Sequence, residues 1–264
     1  MGVAFADYRK DVCCLCGASD DLTGEHKIKA SALRTEFGSD QIVIGHVGER
    51  MRLAQSVKSK ALHFAARMCR PCNGTRTQPA DREFDRFHAA ARARLAGGED
   101  PKLAFNEVRY AEGSEPYLNV FRCFAKLLCC HMAESGAPRP LHMSKFARAL
   151  TERNCVWLDI DEDWTYERTA AAMGEHRYAA HGGLVIYGDG KTGGPNAFHS
   201  TLTVGPLRYI FRSRLTVWER LEIRLLHRGF YRECRAIVET TRNQPLADEV
   251  RLKLGLPVKE HPGN

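Results

Sequence analysis

Apolar side chains recur at helical spacing most strongly over residues 116–133, where Leu118, Phe121, Phe124, Ala125 and Leu128 fall on one face. Pro116 stands near the start, where a missing amide costs nothing, and the Ser135-Gly136-Ala137-Pro138 run stops the pattern. Phe84, Phe87, Ala91 and Leu95 give a second helix over 81–95, ended by Gly97-Gly98 and Pro101. A short helix is predicted over 143–153, a long one over 217–242, and a last helical piece between Pro245 and Pro257. Short apolar runs bounded by charge or glycine read as strands: 22–29, 64–68, 155–160, 183–187 and 198–211, with a glycine-rich turn at 188–194. Gly188-Asp189-Gly190-Lys191-Thr192 is no phosphate loop, because Val185 stands where the earlier glycine is required.

This order of elements predicts an α+β protein in two parts. Residues 1–96 hold a small unit with strands, a helix and most of the punctuation, and residues 97–264 hold a helical middle and an α+β carboxy-terminal part of unassigned role. The chain is long enough to bury a real core, and 44% of its residues are hydrophobic. No run approaches the roughly 18 to 20 apolar residues of a membrane span, and the amino terminus lacks a signal-peptide core, so a cytoplasmic protein without a membrane partner is expected. Lys and Arg outnumber Asp and Glu by 39 to 32, a mild bias toward polyanions such as nucleic acid.

Ten cysteines in a reducing compartment point to metal rather than disulfides. Cys13 and Cys16, followed by Gly17, form one C-x-x-C pair; Cys69 and Cys72, enclosing Arg70-Pro71, form the other. Two such knuckles supply the four thiolates of a tetrahedral structural zinc site, whose binding energy folds a unit with a small core. Cys14 is out of register and is read as packing, as are Cys123, Cys129, Cys130, Cys155 and Cys234 in their apolar surroundings. Between the pairs lie Glu25 and His26, and Asn73 directly follows the last cysteine. Adjacent strand residues face opposite ways, so Glu25 and His26 serve one centre only if the strand bends or substrate lies across its edge.

The order C-x-x-C-G, Glu-His, C-x-x-C-N resembles the HNH endonuclease family in its four-cysteine zinc form, over roughly residues 12–88. The resemblance implies a zinc-stabilised ββα-metal module, with His26 as general base and Glu25 and Asn73 as ligands of a catalytic divalent ion. The chemistry is consistent with those residue types. Neutral imidazole takes a proton from water near pH 7, carboxylate and amide oxygens suit Mg²⁺, and thiolates suit zinc. Three departures stand out: Lys29 replaces the family's proline, no asparagine lies between His26 and Asn73, and a long insertion spans residues 39–60 as a loop or lid. His63 sits near the place of the missing asparagine and is a candidate for orienting the loop.

Lys27, Lys29, Arg34, Arg70 and Arg76 surround the centre in sequence and are candidates for phosphate contacts, which supply affinity without base specificity. Asp81 and Asp85 follow on the helix as candidates to orient a ligand. The expected activity is a metal-dependent endonuclease hydrolysing DNA, of a kind used in restriction or phage defence. The alternative is a zinc-stabilised nucleic-acid- or partner-binding protein that keeps the scaffold without hydrolysis. A protein partner or homo-oligomer is compatible with either.

Overall fold

The structure is a computed structural model that describes residues 2–38, 41–46, 52–54, 56, 59–163, 177–189 and 192–242. It is a mixed α+β protein organised around one helix. This helix, α3 (Glu115–Glu134), is capped by Ser114, whose hydroxyl accepts from the amide of Tyr117, and carries Pro116 in its first turn. From Leu118 to Ala133 every residue is buried, so α3 is a core helix rather than a surface amphipath. It packs against α2 (Gln78–Ala96), α4 (Leu141–Ala147), strand β5 (His63–Cys69) and the large sheet. Phe124 meets the rings of Phe84, Tyr209 and Phe211 at centroid distances of 5.6, 5.4 and 5.0 Å, which joins α2, α3 and the sheet in one aromatic cluster.

Among the described residues, three sheets surround that helix. A small antiparallel one pairs β2 (Leu22–His26) with β5, and a two-residue bridge pairs β1 (Phe5–Ala6) with β6 (Arg139–Pro140). The large sheet runs β4-β3-β8-β10-β11-β7, with β9 (Val185–Gly188) also on β10. Its strands are β3 (Ile42–His46), β4 (Arg52–Ala54), β7 (Trp157–Glu162), β8 (Tyr178–His181), β10 (Pro195–Val204) and β11 (Leu207–Arg214). The hairpin β10/β11 turns at Gly205, whose positive φ of 59° suits glycine.

Several expectations are corrected. The strand expected over 22–29 stops at His26, and α1 (Ala30–Phe37) starts four residues later. The helix expected over 143–153 stops at Ala147, and Ala149 is left-handed at φ 56°. The long helix over 217–242 is two, α5 (Val217–Leu226) and α6 (Arg228–Arg242), interrupted where His227 leaves helical geometry at ψ 52°. The 39–60 insertion is not a lid in its described residues. It supplies β4 and β3, and β3 pairs in parallel with β8, because the apolar Ile42-Val43-Ile44 run needs burial on a sheet. The turn at 97–101 is present, yet packing crosses it, since the sheet draws strands from both sides of that point. The helical piece expected beyond Pro245 lies outside the described residues. No described helix is long and apolar enough to cross a membrane.

Glu83 anchors α2 to the segment that follows it. Arg109 donates to both its oxygens at 2.7 Å, and Tyr110 and Arg86 donate at 3.2 Å. Burial pushes the Glu83 carboxyl up, but these donors outweigh it and hold it below the ordinary range. A lowered folded value stabilises above the unfolded pKa of about 4.3 and is lost as pH falls through the folded value. Glu83→Gln is therefore expected to lose about 1–2 kcal/mol at pH 7, discounted for the partly exposed Arg109. The gap to wild type should close toward pH 3 in urea titrations.

Candidate functional site: a cysteine cluster beside a buried carboxylate pair

Cys13, Cys16, Cys69 and Cys72 converge so that their sulfurs all lie within 4.8 Å of one another. The first knuckle closes through Gly17 N–H to the Cys13 carbonyl at 2.8 Å, with Gly17 at φ 82°, where a side chain would be strained. The second lies at the end of β5, and the Arg70 amide donates to the carbonyl of Asp21, the residue before β2, at 2.9 Å, tying this knuckle to the start of the partner strand. Cys13, Cys69 and Cys72 are buried and Cys16 is half-buried. A hydrogen bond from Cys72 holds the Cys13 thiol well below its ordinary value and correspondingly pushes Cys72 up. Four sulfurs this close suit a soft tetrahedral ion, so the cluster can hold a metal such as zinc. Cys14 lies outside it and packs against Cys130, the two sulfurs 3.7 Å apart.

From the cluster run the two strands that carry the remaining candidates. Leu22 pairs with Cys69, Thr23 with Met68 and Gly24 with Arg67, but the next partners are His26 and His63. Two residues of β2 thus span four of β5, a bulge that bends the strand. His26 and His63 meet there with ring centroids 3.9 Å apart. Glu25, by contrast, is buried. Asn73 sits in the π-helical turn Cys72–Arg76, and its Nδ2 donates to the Gly24 carbonyl at 2.8 Å and to the Thr23 hydroxyl at 2.9 Å. The amide that follows the last cysteine is thereby fastened to the residue before Glu25.

Glu25 meets a group that sequence reasoning missed. The Nζ of Lys126, on α3, lies 2.9 Å from Glu25 Oε1 and 2.6 Å from Asp81 Oδ1. Burial alone would push that ammonium down; Asp81 and Glu25 hold it well above its ordinary value. Glu25 is raised, because burial outweighs the attraction of Lys126. Beside this triad Lys29 pairs with Asp85 at 2.6 Å and donates to the Asp81 carbonyl. Asp81 therefore belongs to the centre, while Asp85 faces Lys29 and accepts from Ser31 at 3.0 Å. The signal for Lys126 was a lone lysine inside the apolar run from Leu118 to Ala133, a place where a charge needs a buried partner.

Of the proposed phosphate contacts, Lys27 is paired with Glu134 at 3.1 Å and Arg70 with Asp21 at 2.7 Å, Lys29 is engaged as above, and Arg76 is exposed. Arg34 is exposed on α1. Compared with protein-family models, curated proteins and solved structures, the chain matches none.

Two outcomes follow. Purified protein should carry one zinc per chain by elemental analysis; Cys69→Ser should lose it together with cooperative thermal unfolding, whereas Cys130→Ser should keep the stoichiometry. Lys126→Met should cost about 3–5 kcal/mol in urea unfolding by leaving two carboxylates buried without their cation, and adding Glu25→Gln and Asp81→Asn should recover most of that loss.

Proposed function

We propose that the β2–β5 hairpin, the Cys72–Arg76 turn and α2 form an HNH-type ββα module that hydrolyses phosphodiester bonds in DNA. The observation that carries this reading is the bulge that sets His26 against His63 at the half-buried end of the hairpin, while Asn73 is tied to Gly24 and the four cysteines close behind it. First knuckle, paired strands β2 and β5, second knuckle and helix follow one another along the chain in the order that the sequence resemblance implies.

In the proposed reaction half-buried His26 takes the proton of a water molecule. The water oxygen forms a bond to phosphorus, the bond to the sugar oxygen breaks, and that oxygen leaves as an alcohol after taking a proton from solvent, to which His26 returns the one it took. His63, in ring contact with His26, restricts the rotation of the base and takes the orienting role that a middle asparagine would fill. The donor set beside it suits a hard divalent ion: the Glu25 and Asp81 carboxylates already converge on one positive charge, and the Asn73 amide is anchored next to Glu25 in the chain. Such an ion, Mg²⁺ in this reading, would be held by Glu25 and Asn73 and would supply a charge sink for the phosphate oxygens. Lys126 competes with it for Glu25.

That competition favours a second reading, in which the module binds nucleic acid without cutting it. The buried ammonium already neutralises both carboxylates. Supercoiled plasmid incubated with zinc-loaded protein and Mg²⁺ or Mn²⁺ separates the two. Under the first reading nicking appears on gels and falls by at least about a hundredfold in His26→Ala, as expected for loss of a general base. Plasmid that stays supercoiled but shifts in mobility would establish the second reading and remove the first.

A further inference from the structure

The large sheet has a second face, turned away from α3. On the inner face Tyr209, Phe211, Leu158 and Ile160 pack toward α2 and α3. Strand alternation therefore puts their neighbours outward. Cross-strand register sets Trp157 opposite Arg212, Arg212 opposite His199, and Tyr187 opposite Ala197, two residues from His199 on the same face. Trp157 and Tyr187 are 50% and 51% exposed, too open to be core residues. Tyr187 lies flat on His199, centroids 4.8 Å apart at 21°, so an aromatic plane is already fixed. Arg212 and Arg214 are exposed and make no ion pair among the described residues.

The charge of this face is one-sided. Its described acids are Asp159, Asp161 and Asp163: Lys102 meets the first two at 2.8 and 3.9 Å, Arg208 meets Asp161 at 3.8 Å, and Asp163, buried just past β7, accepts from the Thr203 hydroxyl at 2.6 Å. Among the described residues, the cations of this face left without an ion pair are Arg212 and Arg214, seated on the strand between Trp157 and the Tyr187–His199 stack. From β7 to β9 is three strand spacings, about 14 Å, which accommodates two or three nucleotides of an extended single strand. Exposed aromatic planes flanking unpaired arginines on a rigid sheet match a strand whose bases are unstacked and whose phosphates are accessible. They do not match a duplex, whose bases are hidden.

We infer that the outer face of the large sheet, with Trp157 and Tyr187 as stacking planes, the latter backed by His199, and Arg212 and Arg214 as phosphate contacts, binds single-stranded nucleic acid. This goes beyond the hydrolytic module and does not depend on it, since the residues are separate and binding is read without turnover.

The test uses the full zinc-loaded chain in the His26→Ala background without added divalent ion, with fluorescein-labelled 12-nucleotide DNA and RNA strands followed by anisotropy. Trp157→Ala and Tyr187→Ala should each weaken binding about tenfold at unchanged net charge, and Trp157→Phe should stay within about threefold of the parent, because stacking is what is removed or kept. Arg212→Gln should weaken both strands and lower the salt slope by about 0.7. A circular-dichroism melt checks that each variant is folded; these side chains are exposed, and His199→Ala is held in reserve to probe the stack should one fail. Comparison of the two strands assigns the preferred sugar. The inference is overturned if neither strand binds, if the alanine variants bind as tightly as the parent, or if Trp157→Ala abolishes self-association in sedimentation runs while leaving strand affinity unchanged. Loss of plasmid nicking with strand binding intact would remove the hydrolytic reading alone.

Discussion

A single ammonium holds three elements of this protein together. Lys126 Nζ joins the hairpin through Glu25, α2 through Asp81, and α3 through its own backbone. A charge placed in the middle of a fully buried helix is tolerated only when opposite charge meets it at hydrogen-bond distance, so the positions of β2 and α2 are constrained by the place of one nitrogen. The constraint is mutual. Neither carboxylate can leave without exposing the lysine, and the lysine cannot leave without stranding two acids.

The cysteine cluster imposes a different constraint on the same unit. It connects two chain segments separated by β2, α1, β3, β4 and nearly all of β5, and it fixes the register in which Leu22 faces Cys69. Beyond that point the register breaks, and the bulge brings His26 to His63. The arrangement sorts the chemistry by depth: imidazoles at the half-buried end, carboxylates and ammonium inside, sulfurs behind.

The large sheet makes the unit part of a larger body. Strands β3 and β4 come from within the span enclosed by the cysteines, yet they complete a sheet otherwise built from residues beyond 156. The pinned module thus shares its insertion with the sheet, and the aromatic cluster around Phe124 fills the space between sheet and helices.

Much was legible in the chain because it is written locally. The C-x-x-C spacings, the Glu25-His26 pair and Asn73 are short-range signals, and the structure does bring the four cysteines to one point. The helices at 78–96 and 115–134 follow from apolar periodicity and proline and glycine placement, which depend on neighbouring residues alone. The break at His227, the early end of α4 and the pairing of β3 with β8 were not legible, since strand partners and helix ends are chosen by what packs from elsewhere in the chain. Lys126 shows the division most clearly. Its position in an apolar run signalled that it must be paired, but which of 32 acidic residues would meet it was decided only when α2, α3 and the hairpin came together, because Coulomb attraction in a low-dielectric interior acts on distance in space and not along the sequence.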